Sequence, residues 1–166
     1  MKILIFSDSH GKIHRVQDMM KMHQDADMVF FLGDGMGEAE FYAKEFGLRM
    51  VAVRGNCDSH TGLYNHVREE EIVMLEGHRI FLSHGHHYSV KYGSSCIAKE
   101  AQERNCDIAI FGHTHMRLDT YSPSFDGGLH LFNPGSLGEP KHGNPSYGIL
   151  ILQGQSVLFS HGEIPY

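Results

Sequence analysis

The sequence predicts an α/β fold: a four-layer α-β-β-α sandwich in which two mixed β-sheets are flanked by helices. Two observations carry this expectation. Over the first 55 residues, short apolar runs alternate with stretches of helical periodicity, an order that implies a parallel sheet with right-handed crossovers. Beyond residue 70 the apolar runs come mostly in pairs joined by turn residues, the pattern of hairpins and mixed β structure. No repeat, low-complexity tract or linker interrupts the chain, so its 166 residues are expected to form a single domain, 1–166.

Each element has its own signal. "KILIF" (2–6) is isoleucine-rich and does not alternate, which marks a strand buried on both faces. Residues 12–24 carry Ile13, Val16 and Met20 at helical spacing, a stripe expected to face the core. "DMVFFLG" (27–33) reads as a second strand, 38–46 as a helix and "RMVAVRG" (49–55) as a third strand. "EIVMLEGHRIFLSHG" (71–85) is a hairpin turning at Glu76-Gly77, 94–105 suits a helix, and "DIAIFGHTH" (107–115) opens another buried strand. "RLDTY" with "LHLFN", and "SYGILIL" with "SVLFS", give two further hairpins.

Composition narrows the function. A formal charge of -6 without any long basic run disfavours extended nucleic-acid binding and anionic membranes, so an anionic partner has to be drawn by a local charge. Cys57, Cys96 and Cys106 are odd in number and form no CxxC pair, which fits reduced thiols in a cytoplasmic protein. The apolar stretch of "MKILIFSD" is too short for a signal peptide, and "NPSYGILILQGQSVLFS" is too interrupted by polar residues for a membrane span. Histidine stands out, with 14 residues against 14 lysines and arginines together.

Five apolar runs end in metal-ligand residue types: Asp8 and His10, Asp34, Asn56, His84, and His113 with His115. Ligands of open α/β sheets bind beyond the carboxyl ends of the strands. On extended chain, residues i and i+2 point the same way, so Asp8 with His10, and His113 with His115, are expected to converge. Two aspartates, one asparagine and four histidines exceed what one ion with an open position needs, and suit two divalent ions sharing a carboxylate. Mixed oxygen and nitrogen donors favour Mn, Fe, Ni or Zn over Ca or Mg.

The set Asp8-x-His10, Gly33-Asp34, Gly55-Asn56, His84 and Gly112-His113-x-His115 resembles the calcineurin-like metallophosphoesterase superfamily, in order through most of the chain. "GNCD", "SHGH", "GHTH" and "NPGS" resemble in detail its small YfcE-like phosphodiesterases of bacteria and archaea. The resemblance implies the metallophosphoesterase fold, one ion on Asp8, His10, Asp34 and His115, and a second on Asp34, Asn56, His84 and His113, with manganese first among the metals. It implies homo-oligomers; "FNPGSLGEP" (132–140) is read from its residues as a structural turn, and the resemblance would put its backbone at the edge of the active site.

Two divalent ions bridged by hydroxide and flanked by Asp8 and Asp34 would leave the cluster near about +1, an attractant for phosphate. The hydroxide would attack phosphorus in line, with Asn56 and nearby imidazoles offsetting charge on the oxygens. Many members of the superfamily hold a histidine, credited with protonating the leaving group, where this chain has Cys57. A thiol is a weak substitute acid, which favours a small phosphodiester substrate with a good leaving group, or gives the general-acid role to another histidine, His86 or His87 being the candidates. Cys57 itself is read as packing or a minor substrate contact. A thiol phosphatase needs Cys-x5-Arg, and six residues after the three cysteines stand Leu63, Gln102 and Gly112. The alternatives are a phosphomonoesterase, or a non-catalytic protein-interaction scaffold like the small retromer subunit, which resembles this layout without the complete ligand set.

Overall fold

A computed structural model of the chain describes residues 1–123 and 127–165. One five-stranded sheet has the order β10-β9-β1-β2-β3, built from β1 (Lys2–Phe6), β2 (Met28–Phe31), β3 (Arg49–Ala52), β9 (Ser146–Gln153) and β10 (Ser156–Glu163). The other has the order β4-β5-β6-β8-β7, from β4 (Glu70–Leu75), β5 (His78–Ser83), β6 (Ile108–Phe111), β7 (Arg117–Ser122) and β8 (Leu129–Pro134). Strands β1, β2 and β3 run parallel, as do β5, β6 and β8, while β4, β7, β9 and β10 pair antiparallel with their neighbours. The expected hairpins β4–β5, β7–β8 and β9–β10 are all present.

Strand pleating explains the layers. Ile3, Ile5, Met28 and Phe30 project toward Ile80, Leu82, Ile108 and Ile110 of the opposite sheet and form the apolar interior between the two. The residues between them, Leu4, Phe6, Val29 and Phe31, pack under α1 (Ile13–Met22) and α2 (Met36–Glu45). Phe81, Ala109 and Phe111 pack under α3 (Ser95–Glu103) on the far side. Helices therefore cover both outer faces, and strands with both faces buried need the unbroken apolar runs seen in the sequence.

One core assignment changes. Val16 and Met20 are buried as expected, but Ile13 is half exposed and Met19 takes its place. Ile13 is the first residue of α1, where it lines an open groove with Phe41 and Tyr42.

Candidate metal centre

The seven candidate ligands all lie at the strand ends where the two sheets meet. Asp8 and His10 follow β1, Asp34 follows β2, Asn56 follows β3, His84 follows β5, and His113 and His115 follow β6. The convergence does not come from extended chain. Asp8, His10, Asp34, His113 and His115 all have left-handed backbone, with φ between 44° and 65°. Side chains of successive turns, not strand pleating, thus bring each i, i+2 pair together. Such conformations are unusual for residues other than glycine and cluster where surrounding contacts enforce them.

Those contacts are visible. Asp8 N–H donates to Gly33 O at 2.9 Å and His10 N–H to Asp34 O at 3.1 Å, so the first two ligand turns brace each other. The third is locked by Asp58, whose carboxylate accepts the amides of Asp34, Gly35, Met36 and Gly55 at 2.8 to 3.0 Å. Glu38, in the first turn of α2, accepts from Ser9 Oγ at 2.9 Å and from Gly11 N–H at 2.7 Å. Two glycines permit this closeness: a Cβ on Gly55 would lie 2.1 Å from Asp34 Oδ1, and one on Gly112 2.0 Å from Ser7 Oγ. The "NPGS" turn is structural: Ser136 Oγ donates to Asp8 O, Gly138 N–H donates to the same carbonyl, and Asn133 Nδ2 donates to Gly112 O.

Side chains meet in three overlapping groups. Asp8, His10 and His115 present donor atoms within 4.8 Å of one another, as do His10, Asp34 and Cys57, and Asp34, His84 and His113. Asp8 Oδ1 lies 3.2 Å from His115 Nε2, and Asp34 Oδ2 lies 3.3 Å from His84 Nε2. His115 Nδ1–H donates to Glu139 O and His84 Nδ1–H to Leu32 O, both at 2.6 Å. Each ring's other nitrogen is thereby left with a lone pair turned inward, the orientation that metal-ligating histidines take. Those lone pairs face other imidazole nitrogens, His10 Nε2 at 3.3 Å from His115 and His113 Nδ1 at 3.2 Å from His84.

Two buried oxygens, Asp8 Oδ1 and Asn56 Oδ1, have no hydrogen-bond partner among the described residues. A buried acceptor without a donor, as Asp8 Oδ1 is beside the His115 ring nitrogen, fits a bound cation. The charges respond to one another in the same sense. Burial alone would raise the Asp34 pKa, yet the His84 imidazole and the Cys57 N–H hold it well below the usual carboxylate range. Burial opposes protonation of His84, but Asp34 and Asp8 outweigh it and raise that pKa, while the Asp8 carboxylate beside it raises His115. Burial, His84 and Lys91 lower His113 to about 4. Cys57 is pushed up to about 12 by burial and by the carboxylates of Asp34, Asp58 and Asp8, which keeps it a thiol and not a nucleophile.

Six of the positions named from the sequence, Asp8, His10, Asp34, His84, His113 and His115, share these donor groups, and Cys57 joins one of them; Asn56 lies in the adjoining turn, its Oδ1 buried and its Nδ2 donating to Cys57 Sγ at 3.4 Å. His86 stands at the border of the site, its ring centroid 5.4 Å from that of His84. His60, His66 and His142 are exposed, as surface histidines should be. Asp58 and Glu38, which the sequence pattern does not single out, hold the turns that carry Asp8 and Asp34. Their signal was faint: an aspartate two residues past Asn56, and an acidic residue at a helix start.

The model of the calcineurin-like phosphoesterase superfamily domain matches residues 1–163. The phosphodiesterase YfcE of Escherichia coli strain K12 is 31% identical over 171 aligned positions, covering 90% of this chain and 87% of YfcE. The probable metallophosphoesterase YsnB of Bacillus subtilis strain 168 is 31% identical over 155 positions, covering 92% and 85%. Among solved structures, vacuolar protein sorting 29 from Cryptosporidium parvum superposes with a TM-score of 0.76 over 98% of both chains, at 17% identity, a likeness of fold alone. The chain belongs to the calcineurin-like phosphoesterase superfamily. With this donor set at its strand ends, it is a metal-dependent phosphoesterase. Among the described residues no helix is long and apolar enough to cross a membrane.

Proposed function

We propose that the chain is a phosphodiesterase that holds two divalent ions, one on Asp8, His10, Asp34 and His115 and the other on Asp34, Asn56, His84 and His113. The observation that carries this reading is the position of Asp34, whose carboxylate belongs both to the donor group with His10 and to the group with His84 and His113. A shared carboxylate flanked by imidazoles on both sides supports a pair of ions over a single one. Ions held there supply Lewis acidity to phosphoryl oxygens and make water acidic enough to furnish hydroxide at neutral pH, with a pKa of about 7.

The chain's own residues define the rest of the chemistry. Asp8 and Asp34 hold negative charge in a buried pocket, so their histidine partners and bound cations set the local field that draws a phosphate to a protein with net charge -6. The backbone carbonyls of Leu32 and Glu139 fix the tautomers of His84 and His115 and aim their Nε2 atoms. Asn56 Oδ1, buried without a partner, completes the second ligand group.

Neither Cys57 nor His86 is a good proton donor at neutral pH. Cys57 stands at about 12, and burial with His84 and His87 alongside lowers His86 to about 4, so it is a neutral imidazole. A site without a ready general acid suits diesters whose leaving group departs as a stable anion. Neutral ring nitrogens at the border also suit a singly charged diester better than a dianionic monoester. Small phosphodiesters with aryl or other acidic leaving groups are therefore the proposed substrates. Comparing kcat/KM for an aryl phosphodiester and an aryl phosphomonoester tests this: the diester should win, and a clearly faster monoester would refute the preference. All seven ligand positions carry ligand-type residues, which favours catalysis over a scaffold role.

A further inference from the structure

One more group of metal-ligating residues lies beside the ligand pair without being part of it. Glu69, His86 and His87 each offer a donor atom, and the three lie within 4.8 Å of one another. His87 Nε2 is 2.9 Å from Glu69 Oε2, and the His86 and His87 rings have centroids 3.9 Å apart. Side chains of adjacent residues ordinarily diverge. Here a single 3₁₀ turn, His86–Tyr88, entered through Gly85 at φ 100° and left through Ser89 at φ 51°, brings both imidazoles to Glu69.

The carboxylate is prepared in the manner of a ligand. Arg54 Nη2 donates to Glu69 Oε1 at 2.8 Å, and Arg54 is itself anchored by Asn65 Oδ1 at 2.9 Å. Oε1 is thus occupied and the orientation of Oε2 toward His87 is fixed, the outer-shell support that metal carboxylates receive. A second observation is independent of the cluster's distances: His86 Nδ1 is buried and has no hydrogen-bond partner among the described residues. A plain ion pair between Glu69 and His87 does not account for it.

We propose that Glu69, His86 and His87 form a third divalent-metal site that takes zinc. Two imidazoles and one carboxylate are the donor set of three-ligand zinc sites, with one coordination position left for water, whereas magnesium and calcium prefer all-oxygen surroundings. His87 is more exposed than any ligand of the pair, so the third ion exchanges with solvent more readily and binds more weakly. The site does not depend on what the neighbouring pair does in catalysis.

The test is a zinc titration of the metal-stripped full-length protein, with bound metal counted by elemental analysis after equilibrium dialysis. The wild-type chain should take up a third, weaker equivalent that His87→Ala and Glu69→Gln each lose. Asp34→Asn, checked for folding by circular dichroism, should still bind one zinc, and adding His87→Ala to it should abolish that one. Equal stoichiometry in wild type and His87→Ala, or no zinc bound by a folded Asp34→Asn chain, would overturn the proposal. If Asp34→Asn instead keeps the full wild-type complement, the shared-carboxylate reading fails, while the third site stands provided His87→Ala still removes one equivalent.

Discussion

Asp58 lies behind Asp34 and holds it in place: its Oδ2 accepts the Asp34 amide at 2.8 Å, and its two oxygens together accept four amides from the turns that carry Asp34 and Asn56. The carboxylate that both donor groups share therefore depends on a second carboxylate behind it. Removing Asp58 leaves several buried N–H groups without acceptors, each costing about 1–3 kcal/mol before water relieves part of it. Asp58→Ala should lose roughly 3 kcal/mol in urea unfolding and bind metal more weakly, and Asp58→Asn should fall between the two. Unchanged stability in Asp58→Ala would mean that the turns hold themselves.

Much of this arrangement was legible in the sequence because strand burial and strand ends both leave marks. "KILIF", "MVFF" and "IAIF" are apolar without alternation because each lies between a helix layer and the other sheet, and the residues that follow them had to be the site. What could not be read was how the ligands are aimed. The left-handed φ of Asp8, His10 and Asp34 is a tertiary outcome, enforced by Asp58, Glu38 and the Gly138 amide from distant parts of the chain, and the His113 turn is tied through its N–H to Asp8 Oδ2. Helical spacing likewise put Ile13 in the core, because spacing does not register what the first residue of a helix packs against.

Asp34→Asn removes the charge shared by both ligand groups. The expected result is loss of activity together with loss of metal from the paired sites, since a neutral amide at this buried position cannot balance two cations. Metal analysis and diesterase assay on the same preparation check it. Full activity in that variant would overturn the ligand assignment.

Cys57→Ala should behave in the opposite way. A thiol held near 12 neither attacks nor protonates at neutral pH, so the variant should retain its metal and stay within about tenfold of wild-type kcat toward an aryl diester. A drop by orders of magnitude with metal retained would restore the thiol to a direct role.

The metal-stripped chain should carry a pH signature at His86. Its folded pKa of about 4 lies below the ordinary imidazole value of about 6.5, so the unfolded state takes up a proton that the folded state refuses between those limits. Stability at this position is therefore lost as pH falls through that window, and His113 acts in the same direction. His84 and His115, with raised values, act oppositely: their contribution is complete below the ordinary imidazole pKa and is lost as pH rises through the raised ones. Comparing wild type with His86→Gln isolates the first effect. In chelator, the variant should gain about 1 kcal/mol relative to wild type between pH 7 and 4.5, the full shift being reduced by solvent screening. Parallel pH profiles would contradict the depressed pKa.

The most direct measurement strips the purified protein of metal and assays bis-p-nitrophenyl phosphate alone and with added Mn, Ni, Zn or Mg, counting bound metal per chain. Turnover absent without metal, and restored by at least one of these ions to a maximum at about two equivalents, is the result expected of the paired site. Undiminished turnover in the metal-free chain, or two ions bound tightly with no turnover of any phosphoester, would contradict it.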